Sequence, residues 1–287
     1  MEKRDKITKD ELREAYIKYK AHVYYDTTEL FQRRKLAEFE SNLLSDEHLF
    51  RETPYARGIS NLSVELETKF ERIIDWINTN HTKRGFDQFL DKIDLLFLPK
   101  KYKKTPAEDN YITNERISES YTIDSIIIFA DIPVELHLVT VLWIMNYGYK
   151  LDAKLDSSCV GNRLLLNKTE NGVIKGSGLF KPYFSQYQKW RDNAVNEAQR
   201  KLHAGSKVAF INLDLKDYFY SARINFEEIE KEIWGEEGYK NDSNIHDIFK
   251  ELYKRYTEKL KTINYPNAEL GNQIGDKIIL PIGITSS

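Results

Sequence analysis

A mixed α+β chain, helical in its N-terminal part, is what three observations in the sequence predict. Apolar residues recur at three- and four-residue spacing through residues 8–98, which is the period of amphipathic helices. Two β-prone apolar runs, 121–130 and 208–214, break that period in the second half. Around them lie charged helical stretches separated by glycine-marked turns.

Bulk properties narrow the class. A chain of 287 residues suits one large domain or two ordinary ones, and 41% hydrophobic residues can build a core beside a 31% charged fraction. The net charge of −2, from 43 basic and 45 acidic residues, is not that of a generally basic nucleic-acid binder. A local basic groove would suffice for such a partner. Cys159 is the sole cysteine, which excludes an intramolecular disulfide or a cysteine-rich zinc site and fits a reducing compartment. Met1-Glu2-Lys3-Arg4 opens onto a charged helix without an apolar signal region, and no run approaches about 18 consecutive apolar residues. The expected location is cytoplasmic, with no membrane partner.

Taken in order, residues 8–50 read as helix, with Leu12, Ala15, Tyr16, Tyr19 and Val23 on one face and a capping box from Thr8 to Glu11. Asp26-Thr27-Thr28 interrupts it. The tyrosines here (Tyr16, Tyr19, Tyr24, Tyr25) suit a helix–helix contact better than a base-stacking platform. Residues 62–98 give two more helices, the second marked by Phe86, Phe89, Leu90, Ile93, Leu96 and Phe97 and stopped by Pro99. A basic loop from Lys100 follows. Residues 121–130 are a strand or an apolar helix; periodicity does not separate the two. Val134–Gly148 reads as a buried helix with Pro133 in its first turn and Gly148 at its C-terminal cap. His137 is expected to be a core residue. Gly161-Asn162 forms a turn that aims Arg163, most simply at a carboxylate. Residues 165–180 read as a hairpin and loose loop. Tyr183–Leu202 is a helix with Tyr187, Trp190, Ala194, Ala198 and Leu202 on one face, and 225–262 is helical around a loop at 235–244.

Val208-Ala209-Phe210-Ile211-Asn212-Leu213-Asp214-Leu215-Lys216-Asp217-Tyr218-Phe219 carries one carboxylate out of an apolar, β-prone run. Alone, it is equally a core strand ending in a solvated turn. The end of the chain, Leu280-Pro281-Ile282-Gly283-Ile284-Thr285-Ser286-Ser287, makes it legible. The two stretches in this order resemble motif A (208–224) and the start of motif B (279–287) of reverse transcriptases. Upstream, Pro133 to Val139 with Leu142-Trp143-Ile144 resembles the helical block after the fingers in bacterial members, and Gly161-Asn162-Arg163-Leu164 their Tyr-Gly-X-Arg segment. Tyr183 through Ala194 and the helix from Ala15 to Asp26 are most similar to the abortive-infection, defence-associated subset. The resemblance covers most of residues 12–287.

That resemblance implies a helical N-terminal region at 1–115, then reverse-transcriptase fingers and an incomplete palm over 116–287. It implies RNA-directed DNA synthesis in a bacterial antiviral defence system, by two-metal nucleotidyl transfer. Asp214 would be the motif A carboxylate, and the Leu215 carbonyl would bind the nucleotide-side magnesium ion, of two in all. Amides near Asp217 and Tyr218 would meet the triphosphate. Phe219 would be the steric gate against a 2′-hydroxyl, and Gly283 would approach the nucleotide without a Cβ. Arg163 would contact template phosphate or the fingers. The implied partners are an RNA template, a DNA product and deoxynucleoside triphosphates, with a non-coding RNA or a partner protein as further candidates.

Two departures accompany the resemblance. Ile282 stands where most members have glutamine, an apolar exchange found in the defence-type subset. No Asp-Asp pair follows Gly283 within the 287 residues. The expectations are therefore that the natural protein continues past Ser287 and that these residues alone do not polymerise. The alternative is a non-catalytic, palm-like module that binds nucleic acid or regulates.

Overall fold

The computed structural model describes residues 6–25, 30–41, 64–79, 82–102, 123–167, 172–176, 178–215, 218–238, 243–263 and 277–285. The fold is α+β. Its first helix, α1 (Lys9–Tyr25), starts where the sequence places it. The Thr8 hydroxyl accepts from the Glu11 amide at 3.2 Å, and Glu11 accepts from the Thr8 amide at 2.9 Å, a reciprocal capping box. The predicted face of Leu12, Ala15, Tyr16, Tyr19 and Val23 is buried. So is Lys18 on the same helix, whose ammonium reaches Glu14 at 3.0 Å and the Ile174 carbonyl at 2.6 Å. Both contacts offset the desolvation of that charge.

Helix α2 (Leu30–Ser41) buries Leu36 and Phe39. Its Arg33 donates to the Val23 and Tyr24 carbonyls, both at 3.1 Å, closing the C-terminal end of α1. The break expected at 26–28 lies outside the described residues. Helix α3 (Val64–Asn78) and helix α4 (Thr82–Leu90) bury Leu66, Phe70, Ile73 and Ile77, then Phe86, Phe89 and Leu90.

The second of these helices ends earlier than expected. Asp94–Tyr102 is strand β1, antiparallel to β2 (Ile123–Asp131), with Leu96 opposite Phe129 and Phe97 opposite Ile128. Pairing with β2 decides the matter, and the ambiguity over 121–130 resolves to strand at the same time. Pro99 sits inside β1, next to a register irregularity between Pro99 and Lys101, where a missing N–H is tolerated.

Helix α5 (Val134–Trp143) is apolar all round, and a helix with no polar face must be surrounded. Every residue of it except Glu135 is buried, beneath α1, α2, α4 and α10 (Asn244–Lys261). Pro133 is its N-cap, one position before its expected place. Gly148 does not cap it. Ile144–Gly148 winds on as a π-turn, Gly148 keeps a helical φ of −58°, and α6 (Tyr149–Asp152) completes the run. The Asn146 side chain donates to the Leu142 carbonyl at 2.8 Å within this wider turn.

A hairpin follows, with Leu164 bridged to Phe180 and Leu166 to Val173. Helix α7 (Tyr183–His203) departs from expectation: of its predicted apolar face only Ala198 is buried, while Tyr187, Trp190 and Leu202 are exposed. Beyond it come the short helix α8 (Tyr218–Ser221), β3 (Arg223–Ile224), α9 (Phe226–Trp234), α10 and β4 (Ile278–Ile279). Of the loop expected at 235–244, residues 235–238 and 243 are described and belong to no helix or strand. One buried cluster contains Leu12 and Phe70 together with Leu142, Phe249 and Ile279, so the core runs across the division expected at 115/116. No helix among the described residues is long and apolar enough to cross a membrane.

Candidate functional site

The residues that follow Asp214 and those that lead into Gly283 meet on β2. The link begins with β3 and β4, which pair antiparallel, Arg223 opposite Ile279 and Ile224 opposite Ile278. The Ile279 amide also donates to the Thr257 hydroxyl at 3.1 Å, which fastens β4 to α10. One turn upstream, the Tyr220 hydroxyl accepts from the Ile128 amide at 2.8 Å. On the other side, the Ala130 amide donates to the Ile282 carbonyl, also at 2.8 Å. Two adjacent outward-facing amides of one strand thus hold the two segments.

Gly283 occupies the turn after β4 with φ +89°, a backbone setting that favours glycine. A Cβ built there would lie 2.8 Å from Phe129 Cδ1. Its carbonyl accepts from Gln32 Nε2 at 2.7 Å. The close approach that needs a glycine is to Phe129, a neighbour the sequence did not indicate. Tyr218 and Phe219 lie on α8 edge to face, 5.5 Å apart, with Phe219 37% exposed.

Asp214 and Leu215 stand apart from this cluster in character. Residues 206–215 form no strand; the segment is irregular, and Ile211, Leu213 and Leu215 are 82%, 85% and 71% exposed. The strand predicted from β-branched and aromatic propensity is absent here because propensity needs a bonded neighbour to act on. Asp214 is exposed within it. Asp217 lies outside the described residues.

Arg163 takes its simplest role. Asn162, at φ +47°, turns the chain, and the guanidinium bonds Asp152 at 3.0 Å and the carbonyls of Asp156 and Cys159 at 3.1 and 2.8 Å. Asp152 also accepts from the Leu164 amide at 3.0 Å. The arginine holds the hairpin to α6.

Magnesium at a transfer site takes several oxygen ligands gathered at one point. Among the described residues no three His, Cys, Asp or Glu side chains come together in that way. Of the carboxylates such a centre would need, the described part of this segment supplies Asp214. No family model, curated protein or solved structure matches the chain.

The sequence reading missed a groove between the end of α1 and the start of α7, lined by Tyr25, Phe180, Tyr183, Tyr187 and Trp190. The signal was present as aromatics at four- and three-residue spacing from Tyr183, but that spacing reads equally as a buried helix face.

Proposed function

We propose that this chain carries the fingers and the first part of the palm of an RNA-directed DNA polymerase of the bacterial antiviral type. Its substrates would be deoxynucleoside triphosphates and an RNA template. The observation that supports the reading is the convergence of two sequence-distant segments on β2, through the Tyr220–Ile128 and Ile282–Ala130 hydrogen bonds. Those segments are the ones whose motifs resemble a polymerase active site, and nothing in their local sequence requires them to meet. On this reading Asp214 supplies a metal-binding carboxylate and Phe219 excludes a 2′-hydroxyl.

The test is incorporation of labelled deoxynucleotides on an RNA template with magnesium, by the protein as its host expresses it, beside Asp214→Asn. Incorporation that falls at least about a hundredfold in the variant, the scale on which removing an electrostatic contributor to a transition state acts, supports the proposal. Incorporation equal in both proteins, or absent in both, overturns it.

A second reading, a non-catalytic palm-like module, is favoured by one observation: among the described residues Asp214 belongs to no group of three His, Cys, Asp or Glu side chains. It predicts that Asp214→Asn leaves protection of the host against phage at the wild-type level.

A further inference from the structure

The groove at the start of α7 has a chemistry of its own. It encloses about 840 Å³, within the roughly 300–1,000 Å³ of ordinary ligand clefts. Tyr183, Tyr187 and Trp190 follow one another along a single helical face. The first two ring centroids are 6.0 Å apart with planes at 28°, and the next two are 5.7 Å apart at 40°. These rings are 67%, 45% and 53% exposed, where a folded chain usually hides such side chains.

Among the described residues the one formally charged side chain that lines the groove is Lys181, and no aspartate or glutamate stands beside it. Helix α7 begins at its edge with no side chain bonded over its first amides, which adds the partial positive charge of a helix start. Asn162 and Gln186 stand among the rings with amide donors and acceptors.

Flat π surfaces in series, a positive field and amide groups are the parts of a surface that stacks unpaired bases while attracting phosphates. A protein partner would be served by the rings but would not require the field. We propose that this groove binds single-stranded nucleic acid, with bases stacked on Tyr187 and Trp190 and backbone phosphate near Lys181. The site is separate from Asp214 and does not depend on whether the chain synthesises DNA.

The purified chain should be titrated into fluorescein-labelled oligothymidylate and oligouridylate of 12 nucleotides, and into a duplex of equal length, following anisotropy. Binding is expected for the single strands and should weaken as salt rises. Tyr187→Ala and Trp190→Ala should each weaken it about tenfold, the scale of one lost stack. Trp190→Phe should stay within about threefold while losing the tryptophan quenching that accompanies binding. Asp214→Ala should bind as wild type, which separates this site from the polymerase proposal. Both alanine changes fall on exposed positions, and unchanged circular dichroism melts will show that the fold is kept. Failure of the wild type to bind either single strand overturns the proposal. So does tighter binding of the duplex, or an affinity indifferent to both alanine variants.

Discussion

His137 shows how one side chain couples the core to pH. Its ring stacks on Tyr19, centroids 4.8 Å apart and planes 19° from parallel. Burial pushes its pKa down from 6.5 to about 3, and the nearby Lys35 and His22 act in the same direction. The folded protein therefore keeps it neutral, whereas the unfolded chain takes up a proton near its ordinary pKa. The stability tied to this group is complete above pH 6.5 and is lost as pH falls from there toward 3. The slope is at most about 1.4 kcal/mol per pH unit. His246 moves in the same direction, because its desolvation outweighs the opposing pull of Glu230. Urea midpoints should fall between pH 6.5 and 4.5. His137→Phe should flatten that fall without abolishing it, since Phe keeps a ring for Tyr19 and removes an Nδ1 that has no hydrogen-bond partner. A variant curve parallel to wild type would relieve His137 of this role. The same scale shows where sequence reading stopped. The turn that aims Arg163 was legible, but its target Asp152 lies eleven residues earlier on a helix that only the fold brings alongside.

At the scale of elements, β2 is the strand on which the structure depends, because it pairs with β1 through one edge and receives Tyr220 and Ile282 as well. Gly283→Ala should show how tightly that arrangement is set. It meets both an unfavourable φ and the Phe129 ring, and should lower stability by about 1–3 kcal/mol in urea denaturation. In a Phe129→Leu background the loss should be smaller, with a coupling above about 0.5 kcal/mol in the double-mutant cycle. Additive effects would mean that strain at φ alone explains the glycine. Helices with strong three- and four-residue spacing, α1, α3 and α10, were legible because their own periodicity names the buried face, and α5 because its unbroken apolar run has to be enclosed. The strand β1 was not, since Leu96 and Phe97 extend the preceding helical pattern by chance and only pairing with β2 overrides it. The segment 206–215 failed the opposite way: its residues favour a strand, and no described strand bonds to it. The pairing of that region's downstream end with the strand before Gly283, Ile224 opposite Ile278, was not legible, since local chemistry cannot announce a contact so distant in sequence.

For the whole molecule, what matters is how unevenly apolar surface is covered. The helices of the N-terminal part and α10 enclose a continuous core, while 206–215 and α7 leave Phe210, Ile211, Leu213, Tyr183 and Phe184 all more than half exposed. Apolar side chains exposed together in this way favour association between molecules. The double substitution Ile211→Lys with Leu213→Lys should reduce light scattering at a given concentration and leave the melting temperature within about 2 °C, because neither side chain contributes to the core. A clear drop in melting temperature would show that the segment is held by contacts in solution after all.

The wide turn at Ile144–Gly148 has a consequence for how this chain can vary in length. Such a turn stores one residue more than a regular helix would use over the same rise. Removing one residue there and letting the helix relax would leave Asp152 at nearly the same bearing toward Arg163. Removing one anywhere in Val134–Trp143 would swing it by about 100° and let the hairpin go. The long buried helix therefore has slack of one residue, all of it in one place.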